Sequence, residues 1–373
     1  MFAWRAPTPA STALTIGAVK RGYLVAVVVL ALLGALGGTV AGRIHGRTLT
    51  TVRGVIGSEK GAFFADPAVQ RVFADHGLRL DLDPRGSRQM ATTVDLSRYD
   101  FAFPSSEPAA RALQRRRQVS TVYSPFSSPL AVATFSSIVD LLAGQGMVRR
   151  TPAGYWVLDM KAYLDATARG LRWDQIPGNV AYPAQRAVLL TTTAPDQSNS
   201  AAMYAAIVNH LIGDKRGEQR GDAARIASLF ADQGALESST EAPFDSYVSR
   251  GLSYSPLVLV YEAQYVGQAY AGQLPPDRVL VYLSPTVRSV HTLVPFNHRG
   301  DRVGRLLTTD PELIRLAAVH GFRTADRAVF APVLAKVSTG GAALPDTVDD
   351  VIEAPTFEAL DTLLHDVEQR LGQ

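Results

Sequence analysis

The sequence predicts a mixed α/β body preceded by one membrane-spanning helix, and two observations carry that expectation. From Thr51 onward, short apolar runs alternate with amphipathic stretches, the pattern of strands and helices packed in layers. Ahead of them, Gly22 to Gly42 reads GYLVAVVVLALLGALGGTVAG, 21 residues without a charge. At 1.5 Å per residue such a helix is roughly 31 Å long, enough for a hydrocarbon core of about 30 Å. Ten of the 21 are Leu or Val, each worth roughly −0.3 to −0.6 kcal/mol near the bilayer centre, so insertion is favourable. The competing reading is a cleaved signal peptide, with Lys20-Arg21 before the apolar run and Thr39-Val40-Ala41 as the cleavage site. That run exceeds the usual length of a signal core, and the site is poor. No cysteine follows it, which excludes a lipoprotein anchor.

Residues 1–21 then form a leader, expected to be cytoplasmic. Arg5, Lys20 and Arg21 precede the helix while Arg43, Arg47 and Arg53 follow it, so the positive-inside count ties. A short leader before a single anchor favours the N-terminus inside and the body outside the cytoplasm.

The elements of the body follow in order. TTVRGVI (50–56) reads as a first strand, ending at Gly57-Ser58-Glu59-Lys60-Gly61. Asp66-Pro67 supplies an N-cap and a first-turn proline for a helix to about His76. Gly77 closes it, and LRLDL (78–82) is a second strand. Gly86-Ser87-Arg88 opens another helix, and YDFAF (99–103) is a third strand ending at Pro104-Ser105-Ser106. A helix through Arg117 leads to VSTVYSPF (119–126), and PLAVATF (129–135) reads as a strand leaving this first unit. In a second α/β block, 147–160 is a hairpin around Pro152-Ala153-Gly154, AVLLTTT (187–193) a strand, and Asn199 to Ile212 a helix. PLVLVYEAQY (256–265) is a buried strand running toward a helix, and RVLVYLSP (278–285) and VRSVHTLVPF (287–296) are extended. Helices near 310–319 and 356–371 finish the chain; in the last, Phe357, Leu360, Leu363, Leu364, Val367 and Leu371 share one face. STGGAALPDTVDD (338–350) is a loop.

Composition narrows the function. The chain has 373 residues and no cysteine, so disulfides, thiolate metal sites and a cysteine nucleophile are excluded. Its net charge of +3 is misleading about the body. Residues 1–53 carry six cations and no acid, leaving 31 basic against 34 acidic residues from Gly54 onward (37 − 6 = 31). A net of −3 argues against nucleic-acid binding by phosphate neutralisation. Only five of the 37 basic residues are Lys, a bias that suits a GC-rich genome. There is no G-x-S-x-G elbow, P-loop, G-x-G-x-x-G after a strand, or H-E-x-x-H. The seven histidines show no ligand spacing, His291 and His298 being the closest pair. Neither enzyme chemistry, a metal nor a cofactor is expected.

Several strands instead end in short loops of hydroxyl and glycine residues that open a helix: Gly57-Ser58-Glu59, Gly86-Ser87-Arg88, Pro104-Ser105-Ser106 and Thr191 to Ser200. Carboxyl ends of parallel strands are where open α/β sheets hold ligands, and helix N-termini present free N–H groups. Each loop alone is equally well an ordinary N-cap.

These loops, with Tyr99-Asp100-Phe101-Ala102-Phe103-Pro104-Ser105, Asn199-Ser200 and Val260-Tyr261-Glu262, resemble in order and spacing a bacterial extracellular solute-binding protein. The general form is the type 2 periplasmic binding fold, as in molybdate and sulfate binders, and the likeness extends to membrane-anchored actinobacterial members. It spans roughly Gly54 to Gly372. The resemblance implies two lobes, 54–128 plus 279–373 and 129–278, joined by crossing strands near 127–133 and 278–290, with a small polar or anionic solute between them. It implies ligand contacts from Ser58 and Glu59, Ser87 and Arg88, Ser105, the trio Ser198, Asn199 and Ser200, and Tyr261 or Glu262. It further implies an ABC-type permease or another envelope protein as partner. Glu59, Lys60 and Arg88 depart from the neutral pockets of oxyanion binders. An inward Glu59 would oppose an oxyanion and favour a zwitterion or cation, whereas an outward one would leave the pocket neutral. A ligand-independent envelope scaffold built on the same fold is the alternative function.

Overall fold

A computed structural model describes residues 48–213, 222–234, 236–337, 339 and 341–371. The expected leader (1–21) and spanning helix (22–42) lie outside the described residues. Among those described, no helix is long and apolar enough to cross a membrane.

The strands are β1 (Thr50–Ile56), β2 (Leu78–Pro84), β3 (Phe101–Phe103), β4 (Tyr123–Phe135), β5 (Val148–Arg150), β6 (Trp156–Asp159), β7 (Val258–Tyr261), β8 (Arg278–Ser284), β9 (Thr286–Pro295), β10 (Arg323–Thr324) and β11 (Val351–Ile352). They run in the order β2-β1-β3-β9-β4-β8-β6-β5, with β7 and β10 added on β4 and β11 on β9. β1 and β3 are parallel, with Gly54 opposite Phe101. Period-two alternation sends Val52, Ile56, Phe101 and Phe103 to one face and Val55 and Ala102 to the other. Gly54 has a steric reason to be glycine: a Cβ there would lie 2.1 Å from the Phe101 ring, which covers the space a side chain would fill.

β4 belongs to both halves of the sheet. Its first part pairs antiparallel with β9, from Tyr123↔Leu293 to Pro129↔Arg288. From Leu130 it pairs instead with β7 on one side and, from Ala131, with β8 on the other. The register shifts between Tyr123 and Phe126, where Pro125 has no N–H to give the ladder. Residues 119–126 and 129–135, expected as separate segments, are thus largely one strand that begins at Tyr123. β8 and β9 make the second passage, joined by a cis Ser284–Pro285 bond.

Two large cores lie on the two halves. The first gathers Phe63, Phe73, Phe101, Phe103, Phe126 and Phe322. The second holds β7, β8 and the Asn199–Ile212 helix, together with Leu360, Leu363, Leu364 and Val367 of the C-terminal helix Phe357–Leu371. Those last residues are the apolar face the sequence predicts for 356–371.

Elsewhere, side chains cut elements short. Residues 187–193 are expected as a strand but make only isolated bridges, at Ala187, Thr191 and Thr193. Two of their amides serve side chains instead of a ladder, Leu190 N–H donating to Tyr163 Oη (3.0 Å) and Thr192 N–H to Gln233 Oε1 (2.7 Å), between the backbone bonds of Val188 and Thr191. β7 likewise stops at Tyr261, whose N–H donates to Gln264 Oε1 (3.0 Å) and so opens the helix Glu262–Tyr270.

Candidate functional site

The parallel strands β1 and β3 end side by side, and their loops bring polar groups to one place. After β1, Gly57 leads into a 3-10 turn, Ser58–Lys60. After β3, Ser105 precedes Ser106, which caps the helix Glu107–Arg117. The helix Ser87–Thr92 arrives beside them with Gly86 as its N-cap. From the other half of the sheet come the first turn of the helix Asn199–Ile212 and the end of β7. Together these segments enclose a cavity of about 10 Å³, bordered by Ser58, Glu59, Ser87, Ser105, Ser198, Asn199 and Tyr261. That is about the space of one water molecule.

Hydrogen bonds knit the cavity wall. Ser105 N–H donates to Ser87 Oγ (2.8 Å), and Ser87 Oγ–H to Ser105 Oγ (3.2 Å). Asn199 Nδ2 donates to Tyr261 Oη (2.9 Å) within its own half and, across the two halves, to the Ser105 carbonyl (3.4 Å). Gln89 Nε2 reaches Gln197 Oε1 at 3.1 Å. Gly86 comes so close to Gln197 that a Cβ would sit 2.0 Å from its carbonyl oxygen. The two halves are thus in contact around the cavity.

Behind this wall lies a charged centre. Lys60 is fully buried and Glu59 nearly so, and they form an ion pair. Lys60 Nζ also donates to Ser105 Oγ (3.2 Å) and to His291 Nδ1 (3.1 Å), while Ser105 Oγ–H donates to Glu59 Oε1. Nδ1 accepts that bond, so the imidazole proton sits on Nε2, a buried atom without a hydrogen-bond partner. Burial, followed by the neighbouring Lys60 charge, drives His291 well below its ordinary pKa and keeps it neutral. Burial also lowers Lys60, against the opposing pull of Glu59. The pair is neutral as a unit, and neither residue turns to solvent.

Most of the expected site residues therefore meet in one place. Ser200 lies just behind the wall, its hydroxyl within hydrogen-bond distance of Ser198 Oγ (2.9 Å) and Thr240 Oγ1 (2.8 Å). Two others lie elsewhere. Arg88 is buried against the C-terminal helix, donating to Asp361 Oδ1 (2.5 Å) with its guanidinium 5.2 Å from the Phe357 ring. Glu262 is wholly buried and accepts from Arg323 Nε (2.5 Å) and Nη2 (2.7 Å) and from Tyr282. In both cases a partner distant in sequence claims the charge, which the local motif does not reveal.

The site also recruits residues that the motif pattern passes over. His291 and Ser289 face it from β9; Ser289 Oγ lies 3.5 Å from Asn199 Nδ2. Thr240 borders the cavity, and next to it Glu241 accepts from Gln264 Nε2 (2.8 Å). Burial raises the Glu241 carboxyl to about 7; Asp245 and Glu59 push the same way, and the Gln264 bond opposes them. Alternation along β9 signals its two residues, since Ser289 and His291 are two apart. Glu241 carries no comparable signal.

No protein-family model matches the sequence, and no curated protein matches it. Solved structures do share its architecture. A periplasmic thiamin binding protein aligns over 87% of this chain and 97% of its own, with TM-score 0.55 and 10% identity. The sulfate-binding protein SubI of Mycobacterium tuberculosis H37Rv aligns over 86% and 96%, with TM-score 0.48 and 15% identity. The periplasmic molybdate-binding protein of Azotobacter vinelandii aligns over 74% and 100%, with TM-score 0.46 and 12% identity. The first likeness establishes that the chain has the periplasmic-binding-protein fold.

Two predictions follow from the charges. Lys60→Met strands a buried carboxylate and is expected to cost about 3–5 kcal/mol in urea unfolding. Adding Glu59→Gln should recover much of that loss; a double variant as unstable as the single one would show that the two charges do not compensate each other. Glu241 gives a pH signature. Its folded pKa of about 7 exceeds the unfolded 4.5, so the fold holds its proton more tightly than the unfolded chain does. Its contribution is full below pH 4.5 and lost as pH rises through 7, by about 3 kcal/mol at 1.36 kcal/mol per unit. Glu241→Gln should flatten the stability curve over that interval.

Proposed function

We propose that this protein is an extracytoplasmic solute-binding protein, held to the membrane by residues 22–42, that closes two lobes on a small polar solute for uptake or sensing. One observation carries the reading: ten polar side chains from six separate chain segments converge on a single cavity, at the carboxyl ends of parallel strands, where α/β folds hold ligands. The lobes divide near 128/129 and 278/279, with β4 and the β8–β9 passage as the crossing strands. The C-terminal helix rides on the second lobe, whose core it shares.

A cavity of about 10 Å³ admits no solute, so entry requires the Asn199 and Gln197 contacts to part, a hinge motion about the crossing strands. The ligand then meets hydroxyls, an amide, a phenol and two charges that are each already paired, Glu59 with Lys60 and Arg85 with Asp83. That lining favours an uncharged or zwitterionic polar molecule over a bare oxyanion, because Glu59 stands beside the hydroxyls that would bind one.

Thermal unfolding with a panel of sugars, amino acids, small carboxylates and oxyanions tests this. A ligand at 100 times its Kd stabilises the fold by about 2.7 kcal/mol. A concentration-dependent rise in Tm with one class, lost in the Ser58→Ala/Ser87→Ala/Asn199→Ala variant, is expected. No shift across the panel, with a stable protein partner recovered without ligand, would favour the second reading, an envelope scaffold. The self-neutralised ion pair and the small cavity are what favour that reading.

The anchor has its own test. The full chain should resist alkaline carbonate extraction from membranes, and a chain starting at Arg47 should be released.

A further inference from the structure

A cavity with an apolar floor lies on the other side of the crossing strands. It has a volume of about 390 Å³, within the range of small-molecule sites. Strand alternation separates it from the cleft: Ser289 and His291 of β9 face the polar centre, while Arg288 between Val287 and Ser289 borders this second cavity. Pro129, its partner on β4, also borders it. Phe330 and Leu334, from the helix Arg327–Lys336, supply the apolar floor.

Its charges are unevenly satisfied. Arg323 is spent on structure: it donates to both Glu262 oxygens and to the carbonyls of Pro345 (2.7 Å) and Asp346 (2.5 Å), and stacks 5.2 Å from the Phe330 ring. Arg288 and Arg327 are exposed at the rim, and neither guanidinium has a hydrogen-bond or ion-pair partner among the described residues. Asp346 is the acidic side chain among the residues bordering the cavity. Three guanidiniums against Asp346 and the Glu262 beneath leave one net positive charge (3 − 2 = 1) over an apolar floor.

We propose that this cavity is a second ligand site, taking a monoanion with an apolar body: a carboxylate held by Arg288 and Arg327, its hydrocarbon or ring portion laid on Phe330 and Leu334. A guanidinium pair suits a carboxylate because the planar N–H forks match its two oxygens. The apolar body distinguishes this occupant from a free inorganic anion, which would leave the floor uncovered.

Isothermal titration of the full chain with 2-naphthoate tests the site, with 2-naphthylmethanol as the uncharged control. One saturable site is expected, at least tenfold weaker for the alcohol. Arg288→Ala/Arg327→Ala should weaken naphthoate binding at least tenfold without lowering Tm, since both side chains are exposed. Ala331→Trp, which fills the cavity from its exposed edge, should abolish it. The Ser58→Ala/Ser87→Ala/Asn199→Ala variant of the cleft should bind naphthoate unchanged. Absence of saturable binding, binding that survives the double arginine variant, or binding lost with the cleft variant would each overturn the proposal.

Discussion

The structure depends on one strand serving both halves of the sheet. β4 pairs with β9 up to Pro129 and with β7 and β8 beyond Leu130, so both halves of the fold take their orientation from its 13 residues. A proline stands at each irregular point. Pro125 falls where the register shifts, and Pro129 is the last residue paired with β9. A strand interior normally excludes proline because it withholds an N–H from the ladder. Here both positions are ones where the ladder is interrupted or changes partner. The Thr286 hydroxyl donates to the Leu130 carbonyl at 3.0 Å, tying the second passage to the first at the changeover.

On that frame the buried charges set what the cleft can do. A lone Lys60 or Glu59 in this position would be excluded by desolvation alone. Together, with Ser105 and a neutral His291 as further partners, they form a network next to the cavity that leaves only His291 Nε2 unpaired among its buried side-chain polar atoms. Such a network both rigidifies the wall and consumes donors that an oxyanion would otherwise claim. Ser105 is the hinge between the two roles, since its hydroxyl serves the ion pair while its backbone amide is satisfied by Ser87.

Much of this is legible in the sequence, for identifiable reasons. β1 and the helix Asn199–Ile212 fall where the apolar pattern of the sequence puts them. The hydroxyl loops meet because strand order, not sequence distance, decides neighbours, and parallel strands align their carboxyl ends. Where the reading departs from the structure, the cause is a partner far along the chain. Residues 187–193 have strand composition, yet Tyr163 and Gln233 take the amides of Leu190 and Thr192. Arg88 and Glu262 sit in ligand-like motifs, yet Asp361 and Arg323 claim them. The helix His298–Thr309, absent from the sequence reading, carries its own signal in Asn297, which caps Arg299 and Gly300. The buried position of Lys60 has no such local sign.

The two faces of the crossing strands are chemically opposite, and this asymmetry comes from a period of two. Along β9, Ser289 and His291 carry polar atoms into a sealed, charge-neutral centre, while Arg288 carries an unpaired charge to an open apolar cavity. Glu262 and Tyr261 repeat the division at the end of β7: Tyr261 borders the cleft, and Glu262 anchors the Arg323 that lines the rear cavity. Adjacent residues thus connect the two cavities through the backbone alone. Any rotation about β4 and β9 that opens the cleft must also move Pro129 and Arg288, the residues on which the rear cavity rests.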